Sequence, residues 1–168
     1  MRNANRHSLM KEKQNDISNE FAKVIDWTPL WSTGAPCPQV FSNGHETYLS
    51  YYTDDVKSPI VLVTFYKSLS HRFGIVNDEA ANGHPLYEKG LETYRAHIIV
   101  NSRWIEEHKQ IHKIHPRYSD KHWVGYKHFL LFFHDEIFEV IFSGDHKIEP
   151  FNSTLKEIAL EIARRLNL

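Results

Sequence analysis

Cysteine is almost absent from this sequence, which contains only Cys37 among 168 residues. A single thiol cannot form an intramolecular disulfide, and a zinc site built on cysteines needs ligands that this chain lacks. No neighbouring base marks Cys37 as a nucleophile. Such sparse use of cysteine favours the reducing environment of the cytoplasm.

Long apolar runs are absent as well. No segment approaches the run of about 18 apolar residues that marks a membrane span. The first 15 residues lack the apolar core of a secretory signal peptide. We therefore expect a soluble protein with no membrane partner, in which residues 1–15 form a flexible N-terminus and residues 16–168 form a single domain.

Neither sign of charge dominates, because 20 lysines and arginines stand against 21 acidic residues and give a net charge of -1. Nucleic-acid-binding proteins usually carry a basic excess, so the composition argues against a nucleic-acid partner. The sequence also contains no P-loop, dinucleotide fingerprint or zinc-protease helix. No standard chemistry is therefore indicated, and the sequence assigns no cofactor.

Aromatic residues and histidines are plentiful, at 13% of the chain and 12 residues respectively. They are typical either of an aromatic core with half-buried polar rings or of a ligand pocket lined by rings. The sequence alone leaves both interpretations open.

The apolar periodicity and the turn signals predict a series of helices and strands. The first predicted elements are a helix over 17–25, a hairpin of 40–41 and 47–52 with Asn43-Gly44 at its turn, and a strand over 59–66. A strand over about 93–100 follows, and then a helix that is opened by Asn101 or Ser102 and ended by His115-Pro116. The last two elements are a hairpin over 127–143 with Asp135-Glu136 at its turn and a helix opened by Thr154 and Glu157.

These elements predict an α+β fold, because the strands do not alternate regularly with helices. We expect a single, largely antiparallel sheet of about five or six strands, with two or three helices packed on one face.

The segment 67–91 shows no convincing periodicity, and a loop of about 25 residues in a compact domain is usually functional or disordered. Asp78 and Glu79 adjoin Asn77, and His84 follows five residues after Glu79. Because imidazole titrates near neutral pH and a carboxylate can orient it, the first interpretation assigns acid-base catalysis to His84, Asp78 and Glu79, with Asn77 and Tyr87 binding a ligand.

The second interpretation of this loop is structural. Asn77 and Asp78 would cap a short helical turn, Gly83 would end it, and His84-Pro85 would begin the next segment. Both interpretations can hold together, since capped loops often carry function.

The hairpin 127–143 has two different faces. Alternation places six apolar residues on a core face, namely Phe129, Leu131, Phe133, Phe138, Val140 and Phe142. The opposite face mixes apolar residues with His128, His134 and Glu139. A buried glutamate would need a partner, which either histidine could supply. An ordinary exposed strand face is the alternative.

The predicted helix after residue 102 carries His108, His112 and His115 at spacings that bring side chains onto one face. A metal could bind there, but no acid occupies the zinc-protease position and His108 lies on the apolar stripe. The identity of any bound metal therefore stays open.

Four motifs resemble a family of small, uncharacterised bacterial proteins: F-G-I-V-N-D-E-A-A-N-G-H-P-L-Y-E-K-G-L at 73–91, N-S-R-W-I at 101–105, I-H-P at 114–116 and K-H-F-L-L-F-F-H-D-E-I-F-E-V at 127–140. The resemblance spans roughly residues 60 to 142. That family often has proline where Val76 stands, and Ser or Thr where Glu136 stands. The resemblance implies a recurring pattern of Asn77, Asp78, Glu79, Gly83, His84, Pro85, His115, His128, His134, Asp135 and Glu139.

Two functional hypotheses follow. In the first, loop 71–91 folds over the mixed face of hairpin 127–143 and forms a pocket for a small polar ligand. The pocket would include His115, His128, His134 and Glu139, with acid-base chemistry from the loop. In the second, the chain is a non-catalytic module of the immunity or accessory type that recognises a protein partner through exposed aromatic and acidic residues.

Overall fold

The computed structural model describes residues 19–166, and the predicted flexible N-terminus at 1–15 lies outside them. The strands are β1 (Phe21–Val24), β2 (Gln39–Ser42), β3 (Glu46–Tyr52), β4 (Ile60–Tyr66), β5 (Ser68–Ile75), β6 (Ala96–Val100), β7 (Lys127–Phe132), β8 (Glu136–Phe142) and β9 (His146–Phe151). The α-helices are α1 (Arg103–His112) and α2 (Leu155–Arg165). Three short 3-10 helices cover Asp78–Gly83, Tyr87–Lys89 and Asp120–Trp123.

The strands form two antiparallel sheets. The first sheet has the order β1-β6-β7-β8-β5, and the second has the order β2-β3-β4-β9. Buried side chains of both sheets make one core cluster, which includes Leu49, Tyr51, Val61, Val63 and Phe65 of the second sheet and Phe129, Leu131, Phe138, Val140 and Phe142 of the first. The two sheets therefore pack face to face.

The outer faces of the two sheets are covered by different elements. Helix α2 begins with a capping box of Thr154 and Glu157 and buries Ile158 and Ile162 against the second sheet. On the first sheet the cover is residues 76–95, which connect β5 to β6 and which we call the covering segment. Its buried residues Ala81, Leu86 and Leu91 pack with Ala22, Ile99, Leu130, Phe132 and Ile137.

The predicted α+β class is confirmed, but the arrangement differs from the prediction. Among residues 19–166, nine strands in two sheets replace the single sheet of five or six strands, and α1 and α2 lie on different sheets instead of sharing a face. Strand β9 was not predicted. Within the residues described, no helix has the length and hydropathy needed to cross a membrane.

The prediction of a helix over 17–25 is wrong where the structure describes it, since residues 21–24 form β1. This strand has four residues and pairs with β6, far along the chain, so the decisive interaction is tertiary. Part of the predicted loop 67–91 is also a strand, because β5 pairs with β8. Its residues 71–75 are exposed, which explains the missing apolar alternation.

The two faces of the second hairpin are confirmed, although its turn lies one residue earlier than predicted. The amide of Phe133 donates to the carbonyl of Glu136, so His134 and Asp135 form the turn. Moving a turn by one residue shifts the pairing by two positions, and the same side chains stay on each face. The first hairpin, β4, β6, α1 and α2 are also confirmed.

Two of the changes between sheets, from β4 to β5 and from β8 to β9, meet at one corner, where the end of β4 contacts the residues after β8. The amide of Gly144 donates to the carbonyl of Tyr66 at 3.1 Å, and the amide of Tyr66 donates to the carbonyl of Asp145 at 3.0 Å. A Cβ atom on Gly144 would lie 2.6 Å from the Tyr66 oxygen. Only glycine allows this approach without a backbone shift.

Gly144→Ala should therefore destabilise the protein by about 2 kcal/mol, within the usual cost of overpacking. The control is Gly34→Ala, because a Cβ on Gly34 would meet no atom within 4 Å. Urea unfolding of both variants measures the difference, and equal stabilities would contradict the proposed constraint at the corner.

Candidate functional site

Three polar residues and one leucine form a row across the outer face of the first sheet. His97 pairs with Leu130, Leu130 pairs with Glu139, and Glu139 pairs with Arg72, so these four residues lie side by side on β6, β7, β8 and β5. Directly paired residues of antiparallel strands share a face. His128 lies on the same face, two residues before Leu130 on β7.

His128 is the centre of a hydrogen-bonded chain. Its Nε2 lies 2.9 Å from Oε2 of Glu139, and its Nδ1 lies 2.8 Å from Oγ of Ser102. Ser102 caps α1, since its Oγ also accepts the amide hydrogen of Ile105 at 3.1 Å. With its proton on Nε2, His128 donates to Glu139 and accepts from the Ser102 hydroxyl, so both ring nitrogens have a hydrogen-bond partner. His128 is only 3% exposed.

The environment keeps Glu139 charged. Burial by itself would raise the pKa of this carboxyl, but the hydrogen bond from His128 and the positive charge of Arg72 outweigh it, and the pKa lies below its ordinary value. A buried carboxylate needs such partners to offset its lost hydration. The expectation that a histidine on the hairpin supplies a partner for Glu139 is confirmed, and that histidine is His128.

Arg72 lies beside this carboxylate. The guanidinium carbon is 4.1 Å from the centre of the Trp104 ring, and the Trp104 ring also contacts His128 edge to face. Arg72 Nη1 is 3.9 Å from Oε1 of Glu139, and Nη2 is 3.9 Å from Oε2 of Glu107. These distances are ion-pair distances, too long for hydrogen bonds.

His84 of the covering segment also lies near this cluster. Its Nδ1 accepts the amide hydrogen of Leu86 at 3.2 Å. Burial lowers its pKa, and the opposing charges of Glu139 and Glu20 only partly compensate. His84 is therefore neutral at neutral pH.

A cleft of about 210 Å³ lies between β5, β8 and the covering segment. We call it the β5–β8 cleft. Its lining residues are Arg72, Phe73, Gly74, Ile75, Val76, His84, Ile137 and Glu139.

Asp78 and Glu79 line a different depression, of about 540 Å³, together with Tyr87. The Tyr94 hydroxyl donates to Asp78 Oδ2 at 2.6 Å, which lowers the pKa of Asp78 and raises that of Tyr94 to about 12. Neither acid lines the β5–β8 cleft, so the structure does not bring together the predicted trio of His84, Asp78 and Glu79.

The other predicted residues Asn77, His134 and His115 also lie outside the β5–β8 cleft. The side chain of Asn77 accepts the amide hydrogen of Ala80 at 3.0 Å, which is the capping role of the structural interpretation. His134 lies at the hairpin turn, 2.9 Å from the Asp135 carboxylate, which raises its pKa. His115 is exposed, accepts the amide hydrogen of Arg117 at 3.1 Å and lines neither depression.

Sequence reasoning did not connect four participants. Ser102 was predicted as a helix cap, Trp104 lies on the apolar face of the same predicted helix, and Arg72 was open to two interpretations, as a cation for an anionic ligand or as a solvated surface residue. Glu20, whose Oε1 accepts the amide hydrogen of Arg103 at 2.7 Å, carried no signal at all. Since Ser102 and His128 are 26 residues apart, no local pattern could have paired them.

Metal-ligating side chains do not converge in the part of the chain that the structure describes: no group of three or more His, Cys, Asp or Glu residues there could hold a metal ion. Comparison with protein-family models, with curated proteins and with solved structures finds no match for this chain. The family resemblance of the four motifs thus stays a prediction.

The hydrogen bond between His128 and Glu139 is testable by a double-mutant cycle. His128→Leu and Glu139→Leu should each destabilise the protein by about 3 kcal/mol, because each leaves a buried polar group without its partner. The double variant should be more stable than the sum of the single effects predicts, by about 1 kcal/mol or more.

Urea unfolding gives all four stabilities. The control cycle is Lys109→Ala with Glu106→Ala, a partly exposed pair at 3.5 Å, for which the coupling should be about 0.5 kcal/mol or less. Additive effects at the buried pair would rule out this coupling.

Stability should also depend on pH. Burial lowers the pKa of His84, His97, His108 and His146 below 6.5, so below that pH the unfolded chain binds protons that the folded chain does not. The raised pKa of His134 has the opposite effect, but for one group only. The free energy of unfolding should therefore fall as the pH falls through 6.5.

The urea midpoint should be lower near pH 5.5 than near pH 7.5, and His84→Gln should reduce the difference. His115→Gln is the control, since His115 is exposed. A midpoint that rises on acidification would refute the pKa directions.

Proposed function

We propose that the protein binds a small polar ligand in the β5–β8 cleft and that His84 interacts with it directly. The observation that carries this proposal is the presence of His84, Arg72 and Glu139 in the lining of one cleft. They come from the covering segment, from β5 and from β8, so the fold assembles this combination from three separate parts of the sequence.

The character of the lining supports binding. Phe73, Val76 and Ile137 are apolar, while His84, Arg72 and Glu139 supply a few polar groups. Ligand sites typically combine a mainly apolar lining with a small number of placed polar groups. The volume of about 210 Å³ suits a ligand, or the part of a ligand, with few atoms.

Contacts within the protein also fix the positions of the polar side chains Glu139 and Arg72 without a ligand. Glu139 is fixed by His128, which is fixed in turn by Ser102 at the start of α1. Arg72 stacks on Trp104. Such support reduces the entropy lost on binding.

Acid-base chemistry at this site would involve Glu139 and not Asp78 or Glu79, because Glu139 is the carboxylate in the lining of the cleft. Its charge raises the proton affinity of His84, against the effect of burial. A neutral imidazole near a carboxylate is suited to exchange a proton with a bound substrate.

The partner-binding alternative is favoured by one observation. β5 is an edge strand of the first sheet, and its Phe73 and Ile75 are 43% and 86% exposed. An exposed edge strand is a place where an extended peptide can add to a sheet.

Protein NMR with small polar compounds tests the cleft. Compounds that bind there should shift the amide signals of Gly74, Val76 and Ile137. His84→Ala should remove these shifts with little change in melting temperature, because His84 is only half-buried. His115→Ala, a histidine variant outside the cleft, should retain them.

Shifts that persist in His84→Ala, or that cluster away from the cleft, would count against the proposal. If no compound shifts the cleft signals, the exposed edge of β5 becomes the better-supported site of function.

A further inference from the structure

The two ring nitrogens of His84 have different hydrogen-bonding roles. Leu86 donates its amide hydrogen to Nδ1, so that nitrogen carries a lone pair and no proton. A neutral imidazole has one protonated nitrogen, which in this ring must be Nε2. His84 can therefore offer a ligand an N–H donor and keep its bond with Leu86.

Arg72 and Glu139 have unused capacity as well. Among residues 19–166, no hydrogen bond uses the guanidinium of Arg72, and its two ion pairs are both 3.9 Å long. Oε2 of Glu139 accepts from His128, whereas Oε1 has only the distant Arg72. The β5–β8 cleft thus presents two kinds of donor and one acceptor.

The charges in this cleft cancel. Arg72 contributes one positive charge, Glu139 contributes one negative charge and His84 is neutral. Glu107 also faces Arg72, but its side chain is 66% exposed and solvent screens its charge. An anion would be repelled by Glu139 and a cation by Arg72, so a neutral group with both a donor and an acceptor fits best.

We infer that the β5–β8 cleft recognises a neutral, planar amide group. The amide oxygen accepts hydrogen bonds from His84 Nε2 and Arg72, and the amide N–H donates to Glu139 Oε1. This inference rests on the proposed function and adds the chemical class of the ligand.

Three probes of nearly identical shape separate the possibilities. Acetamide has one acceptor and one donor, acetate has two acceptors and a negative charge, and acetamidinium has two donors and a positive charge. NMR titration of the wild-type protein near neutral pH should show that acetamide binds at least about fivefold more tightly than either ion, since acetate loses the hydrogen bond to Glu139 and acetamidinium loses those from His84 and Arg72.

Two substitutions should change the preference in opposite directions. Glu139→Gln replaces a charged acceptor by a neutral amide that can still accept from His128, so acetate should become the favoured probe. Arg72→Gln removes the positive charge, so acetamidinium should become the favoured probe. Arg72 is half-exposed, and this variant should lower the melting temperature only slightly.

Each outcome decides the inference. Equal binding of the three probes, tighter binding of either ion to the wild type, or an unchanged order in both variants would overturn the amide assignment and leave the cleft as a ligand site. If no probe and no other polar compound shifts the cleft signals, the proposed function fails together with the inference. The titration of His115→Gln should match that of the wild type.

Discussion

The hydrogen bond between His128 and Glu139 is the interaction on which the organisation of the outer face depends. A carboxylate on a covered sheet face loses hydration, and this loss must be offset by a partner. His128 supplies the bond at 2.9 Å. Because Ser102 contacts the other ring nitrogen, the start of α1 is placed by the same interaction. Trp104 then covers His128 and gives Arg72 a surface on which to stack.

The β7–β8 hairpin joins this polar cluster to the core. Phe129, Leu131 and Phe138 point into the core between the sheets, while His128 and Glu139 lie on the opposite face of the same two strands. Any change of register would exchange the two faces or separate His128 from Glu139. The packing of the core therefore fixes the geometry of the cleft, although no core side chain between the sheets lines it.

The sequence predicts correctly the features that depend on residues close together in the chain, and it does not predict contacts between distant residues. The faces of the hairpin 127–143 and the capping box at Thr154 depend on neighbours in the chain, and both were predicted correctly. Strand β5 has weak alternation because its exposed residues are at an edge, and it was missed. The contact of Ser102 with His128 joins residues 26 apart, and the approach of His84 to Glu139 depends on how the covering segment folds. Neither could be predicted from spacing.

The covering segment shows why a cluster of acids in a loop is a poor guide to chemistry. Asp78 accepts from Tyr94 at the other end of the segment, at 2.6 Å, and Asn77 caps the helical turn that follows it. These hydrogen bonds join different parts of the covering segment to each other, while Leu86 and Leu91 pack it against the sheet. His84 lies two residues before Leu86, and its Nδ1 accepts the amide hydrogen of Leu86. Asn77 and Asp78, which the sequence offers as site residues, therefore shape the segment, and Nε2 of His84 remains available for the proposed ligand.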